Sequence, residues 1–205
     1  MGRASRAQAQ ENRKRIVETA SQLFREQGTH VSVADLMKAA GLTHGGFYKQ
    51  FASKEALIDE ATTHAFGELA QRHMAALELH AGQLDAAQQA LIDAYLSVEH
   101  RDSPADGCPV AALAGDMARE PSNHEAHRVY AKGVSDFADW LATEDQDGIT
   151  RLCTMLGALL LARATKDSPC RRRSSPQPAR PSPRPPDDGG LGRGRLAGRE
   201  PYSRL

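Results

Sequence analysis

The chain of 205 residues is short of several things. It has three cysteines, Cys108, Cys153 and Cys170, with no CxxC pair and no zinc-like spacing to histidine, which argues against a disulfide scaffold or a zinc module. No apolar run approaches the roughly 18–20 residues of a membrane span; the longest, "MLGALLLA", falls well short. The opening "MGRASRAQAQENRKR" has no apolar centre of the kind a signal peptide needs. These absences predict a reduced, cytoplasmic protein with no membrane partner. Alternating apolar and polar residues, the mark of a half-buried strand, are missing too, so an all-α fold is expected.

Net charge is zero, but the charges are segregated. Residues 1–54 hold nine Lys/Arg against four Asp/Glu, a net of +5; residues 55–169 hold eight against nineteen, a net of −11. Residues 170–205 hold nine Arg, no Lys and three acids, a net of +6. A basic head on an acidic body points to a head that meets a polyanion.

Helical signals run through residue 167. In "NRKRIVETASQLFREQG" Ile16, Val17, Ala20, Leu23 and Phe24 share one helix face, and Gly28 is placed as a C′ stop. Ser32 is an N-cap with Asp35 three residues on; Val33, Leu36, Met37 and Ala40 make the buried face, and Gly41 ends that helix. Thr43 is placed to cap a helix over 44–50 that carries Gly45-Gly46, although each glycine costs a helix roughly 1 kcal/mol relative to alanine. Ser53 caps a long helix from Lys54 to about His80, with Leu57, Ile58, Ala61, Ala65, Leu69 and Leu77 inward, and Gly82 breaks it. Further helices are expected over about 85–100, from Pro109 to Arg119, from a Ser122 or Asn123 cap to about Thr143, and over about 149–165. Residues 170–205 carry seven of the eleven prolines and almost no apolar side chains, which predicts disorder. Such a tail could tether nucleic acid or membrane, but its abrupt start is also what a shifted reading frame produces in a GC-rich gene. The expected domains are 1–52, 53–168 and the tail 169–205.

Short helices joined by a tight Gly41-Leu42-Thr43 connection in a basic head describe a helix-turn-helix. The stretch "SVADLMKAAGLTHGGFYKQFASKEAL" resembles the DNA-binding region of the TetR/AcrR family of transcriptional regulators. The resemblance covers about residues 10–70, and the helical pattern beyond suits the family's ligand-binding and dimerisation domain. It implies phosphate contacts from Ser32, Thr43, Tyr48 and Lys54, and base or phosphate contacts from His44, Gly45, Gly46 and Lys49. Phe47 and Phe51 would pack inward against Leu23, Phe24 and Leu36. The run Arg13, Lys14, Arg15 is either a solvated face or a flank that touches phosphate. The implied partners are double-stranded palindromic DNA, a second copy of the chain and a small-molecule effector, with no metal and no cofactor.

In the body, Tyr95, Tyr130 and Trp140 either pack in the core or line a pocket. Cys108 stands just before a helix N-terminus, which lowers a thiol pKa, although Asp106 nearby opposes this. It is the candidate effector- or redox-sensing residue, the alternative being a small buried side chain. Cys153 is expected in core or interface. Leu152, Leu156, Leu159 and Leu160 with Gly157 and Ala158 suggest a dimer face. The family's usual last helix has no counterpart, because the tail occupies its place. The leading function is a repressor released by a small molecule or by an electrophile or oxidant. The alternatives are a helical interaction protein with a vestigial DNA-binding head and a small enzyme pairing Cys108 with His124 or His127; for the enzyme, no base, orienting group and oxyanion site assemble.

Overall fold

The fold is that of a computed structural model, described over residues 6–166. The tail expectation, with Cys170, lies outside them. Eight α-helices and two short 3₁₀ helices make up these residues, with no strand among them.

Helix α1 (Arg6–Gln27) ends where Gly28 turns to a φ of +86°. Helix α2 (Val33–Ala39) starts at Ser32, whose Oγ accepts from the Asp35 N–H at 3.1 Å. It closes in a Schellman motif: the Leu42 N–H donates to the Met37 carbonyl and the Gly41 N–H to that of Lys38, with Gly41 at φ +68°. The expected helix 44–50 is instead a 3₁₀ helix, His44–Lys49. Two glycines in six residues deny it α-helical propensity, and 3₁₀ geometry serves such short pieces. The Thr43 hydroxyl makes no capping bond there; its carbonyl accepts from the Gly46 N–H.

Helix α3 (Lys54–Leu79) is capped by Ser53, whose Oγ accepts from the Ala56 N–H, and runs from the head into the body. The expected helix over 85–100 is two helices, α4 (Leu84–Tyr95) and α5 (Val98–Asp102). Ser97 breaks it by taking the His100 N–H and capping α5. After a 3₁₀ turn, Pro104–Asp106, come α6 (Pro109–Met117), α7 (Glu125–Leu141) and α8 (Gly148–Ala164). Neither Ser122 nor Asn123 caps α7; His124 holds the N-cap position without a side-chain bond. Asp59 of α3 supplies the acceptor instead, taking the Ala126 N–H at 2.8 Å.

Two apolar clusters form. The head cluster joins Ile16, Phe24, Leu36, Phe47, Phe51 and Leu57 with Leu113 and Met117 from α6. The body cluster joins Leu69, Tyr95, Phe137, Leu141, Leu152 and Leu159. Leu152 and Leu159 therefore face the core, not a partner surface. The exposed apolar side of α8 is Ile149, Leu160 and Leu161, with Cys153 and Ala158 also exposed. Arg25 is buried and pairs with Glu68 at 2.9 Å, fixing α1 to α3. Among the described residues no helix is long and apolar enough to cross a membrane.

Candidate DNA interface and effector cavity

The connection after α2 and the 3₁₀ helix place the predicted residues on one exposed part of the head. Thr43, His44, Gly45, Tyr48 and Lys49 are exposed, Gly46 and Lys54 half-buried, and Ser32 is exposed at the start of α2. Tyr48 keeps 66% of its surface open, an unusual state for a tyrosine. Phe47 and Phe51 anchor this segment from below, buried and stacked with ring centroids 5.5 Å apart. The Tyr48 ring meets Phe47 edge-on at 5.1 Å, so an inward ring steadies an outward one. Arg13 turns inward: its guanidinium lies 4.2 Å over the Phe51 ring and bonds the Gln50 carbonyl and the Glu60 carboxylate. Lys14 and Arg15 stay exposed.

Internal packing requires neither glycine of the pair. A Cβ on Gly45 would meet nothing within 4 Å, and one on Gly46 would make ordinary contacts with Met37 at 3.5 Å and Thr43 at 3.7 Å. Neither has a positive φ. Neither packing nor backbone conformation inside the chain therefore calls for glycine at these two positions. The surface presents hydroxyl, ammonium and backbone donors that suit phosphate, and almost no side chain where Gly45 and Gly46 stand.

The body carries a cavity, open to solvent, of about 490 Å³ between α3, α4, α5, α7 and the α6 start, of the size that holds a small molecule. Leu69, Leu91 and Phe137 form apolar walls, and Tyr95 and Cys108 also face it. Tyr95 thus serves both expected roles, core and lining. Tyr130 is a core residue whose hydroxyl donates to the Val110 carbonyl at 2.8 Å, and burial pushes its pKa up to about 12. Trp140 stacks on His73 with centroids 4.5 Å apart and planes at 14°.

Cys108 is the N-cap of α6 and is buried. The thiolate that a helix N-terminus favours is opposed here: burial raises the thiol pKa more than the α6 amides of Ala111 and Val110 and the Tyr95 hydroxyl lower it. His100 is the histidine beside it, and sequence spacing gave no sign of this. The Cys108 N–H donates to His100 Nε2 at 3.2 Å, and His100 Nδ1 lies 2.7 Å from the Tyr95 carbonyl. These two bonds define the neutral tautomer with the proton on Nδ1, and burial lowers the His100 pKa. His124 instead meets Glu120 at 3.0 Å. Among the described residues no group of three or more His, Cys, Asp or Glu could hold a metal ion.

A helix-turn-helix head on a helical body with a cavity defines a class of DNA-binding, one-component regulators. Residues 16–61 match the bacterial regulatory proteins of the tetR family. An uncharacterized HTH-type transcriptional regulator of Mycobacterium tuberculosis is 32% identical over 176 residues, covering 76% of this chain and 86% of the relative. The HTH-type transcriptional repressor KstR2 of the same species is 29% identical over 94 residues, 45% of this chain and 47% of that one. A TetR transcriptional regulator from Chloroflexus aurantiacus superposes with a TM-score of 0.64 at 25% identity, covering 78% of this chain and 88% of that one. The chain belongs to the TetR family and is a DNA-binding transcriptional regulator.

Proposed function

We propose that the protein is a repressor that binds a palindromic operator as a homodimer and leaves it when an effector fills the body cavity or reacts with Cys108 at its wall. The observation that carries the DNA reading is the Gly45-Gly46 pair, unexplained by packing or backbone, beside an exposed Tyr48. Ser32, Thr43, Tyr48 and Lys54 contact phosphate and set register; the opening of the 3₁₀ helix at His44, with Lys49 following, faces the bases. The exposed α8 side, Ile149, Leu160 and Leu161, is the dimer surface, with exposed Cys153 beside it. The repressor role agrees with the relative described as one.

Helix α6 gives the two sites a physical connection. Cys108 caps it at the cavity end. At the other end Leu113 and Met117 pack in the head core, and Asp116 accepts the Thr29 N–H at 2.7 Å in the turn after α1. At 1.5 Å of rise per residue those ends lie about 12 Å apart. A ligand that shifts the α6 start therefore bears on the turn that positions α2 in the head.

Operator DNA selected from a random pool by the purified chain tests the head. Tyr48→Phe with Lys54→Ala should abolish selection, and the lysine change alone should lower the salt slope of binding by about one unit. Undiminished binding by the double variant would remove this face from the site. For reaction at the thiol, DNA release by N-ethylmaleimide should vanish in Cys108→Ser and persist in Cys153→Ser; release that survives Cys108→Ser excludes Cys108.

A further inference from the structure

Among the residues that line the cavity, one buried side-chain donor has no hydrogen-bond partner. Tyr95 is only 6% exposed, and its Oη is buried without a hydrogen-bond partner. The Cys108 thiol beside it is a weak acceptor, close enough that Tyr95 and Cys108 shift each other's pKa. Of the other donors around the cavity, His100 and Arg72 hold backbone groups, while Ser103 is exposed and His80 half-buried. Both His100 ring nitrogens are used, one at the Tyr95 carbonyl and one at the Cys108 N–H. Arg72 donates to the Asp106 carbonyl at 3.0 Å and leans toward Glu68. The acids Glu99 and Asp106 stand exposed at the rim. Leu79, 82% exposed, carries the apolar lining out toward solvent.

We propose that the cavity takes an uncharged, mostly apolar molecule whose carbonyl oxygen accepts a hydrogen bond from Tyr95 Oη. This rests on the reading of the cavity as the effector site. Three features select the class. The walls reward apolar area; the orphan hydroxyl rewards one acceptor; the rim acids Glu99 and Asp106, with Glu68 facing Arg72, disfavour an anion. Burial pushes the Tyr95 pKa well up, so the hydroxyl keeps the proton it donates. The neutral His100 contributes position rather than charge, because both its nitrogens hold backbone.

Calorimetric titration of the full chain without DNA tests this with three probes of one shape: β-tetralone, tetralin and a tetralin carboxylate. β-Tetralone should bind, and the carboxylate should bind at least about tenfold more weakly, which follows from the unpaired charge. Tyr95→Phe should weaken β-tetralone by about fivefold to tenfold, the value of one hydrogen bond, and leave tetralin unchanged. The variant loses only an unsatisfied hydroxyl, so its melting temperature should hold; should it fail to fold, the ranking of the three probes on the natural chain decides. A carboxylate that binds as tightly as the ketone, equal weakening of ketone and hydrocarbon in Tyr95→Phe, or no ketone binding up to its solubility limit would each overturn the proposal. With no DNA present, these outcomes are separate from the regulatory reading. That reading is tested by adding β-tetralone to the preformed protein–operator complex.

Discussion

Replacing Gly148 with alanine should be among the most damaging single-methyl changes in the body. A Cβ there would lie 1.8 Å from the Ala138 carbonyl oxygen, 2.7 Å from its carbon and 2.9 Å from the Ala142 nitrogen. All three atoms are backbone, in the last turn of α7 or at its C-cap Ala142, so no side chain can swing aside. Restoring a 3.0 Å contact needs the helices to part by about 1.2 Å. That displacement reaches Leu141 and Leu152, both fully buried at this junction. It also strains the groups that satisfy the α7 end, where Gln88 Nε2 donates to the Trp140 carbonyl at 2.7 Å and Arg151 to that of Leu141. Overpacking typically costs about 1–3 kcal/mol, and a backbone clash belongs at the top of that range. At about 2–4 °C per kcal/mol for a chain of this length, the melting temperature should fall by about 6–12 °C. Thermal unfolding followed by circular dichroism measures it. Gly133→Ala meets the Phe66 ring at 2.1 Å, but the ring can turn, so its loss should be smaller. Gly67→Ala, mid-helix with nothing within 4 Å, should gain up to about 1 kcal/mol. A Gly148→Ala protein that melts within 2 °C of the parent, on the order of the cost of 1 kcal/mol or less, would refute the close approach of α7 and α8.

Acid sensitivity should trace to His73. Burial first, and the Arg72 charge second, lower its pKa from 6.5 to about 4, so the unfolded chain binds the extra proton and stability falls as pH drops from about 6.5 toward 4. At pH 5 the loss is about 2 kcal/mol, and in urea unfolding at pH 7.5 and 5 His73→Phe should shrink the difference by about that amount; an unchanged difference would clear His73. Leu161→Glu, on the exposed α8 side, should shift a dimer to monomer in sedimentation velocity while leaving the melting temperature of the folded unit within a few degrees. Ser97→Ala should loosen α5 by about 1 kcal/mol, read as faster amide exchange at His100, whose N–H it bonds.

What the sequence revealed depended on whether the determining contact was local. Ser32, Ser53, Gly28 and Gly41 were readable because a cap or a C′ glycine acts on residues three or four positions away. The inward Phe47 and Phe51 followed from the family resemblance. The cap of α7 was not readable, because Asp59 reaches it from 67 positions earlier. The α4–α5 break was misread because Ser97 signals a cap only once the chain turns there. Helix α8 shows the limit of periodicity most clearly. Its leucines announce burial, but Leu152 and Leu159 meet their own body while Leu160 and Leu161 do not. An apolar pattern reports that a face is covered, not which molecule covers it.

The same distinction governs the two candidate sites. The DNA face could be approached from sequence because its residues lie within 23 positions of one another, and the resemblance to a family supplied their roles. The cavity is assembled from α3, α4, α5, α6 and α7, and nothing in the spacing of Tyr95, His100 and Cys108 places them together. Sequence reasoning weighed Cys108 by its helix N-terminus, where the amide dipoles favour thiolate. The fold adds a competing effect of opposite sign, and burial wins. That reversal alters the chemistry to be expected at the cavity. A protonated, buried thiol is a weak nucleophile, whereas the unpaired Tyr95 hydroxyl beside it is a ready donor to a neutral ligand.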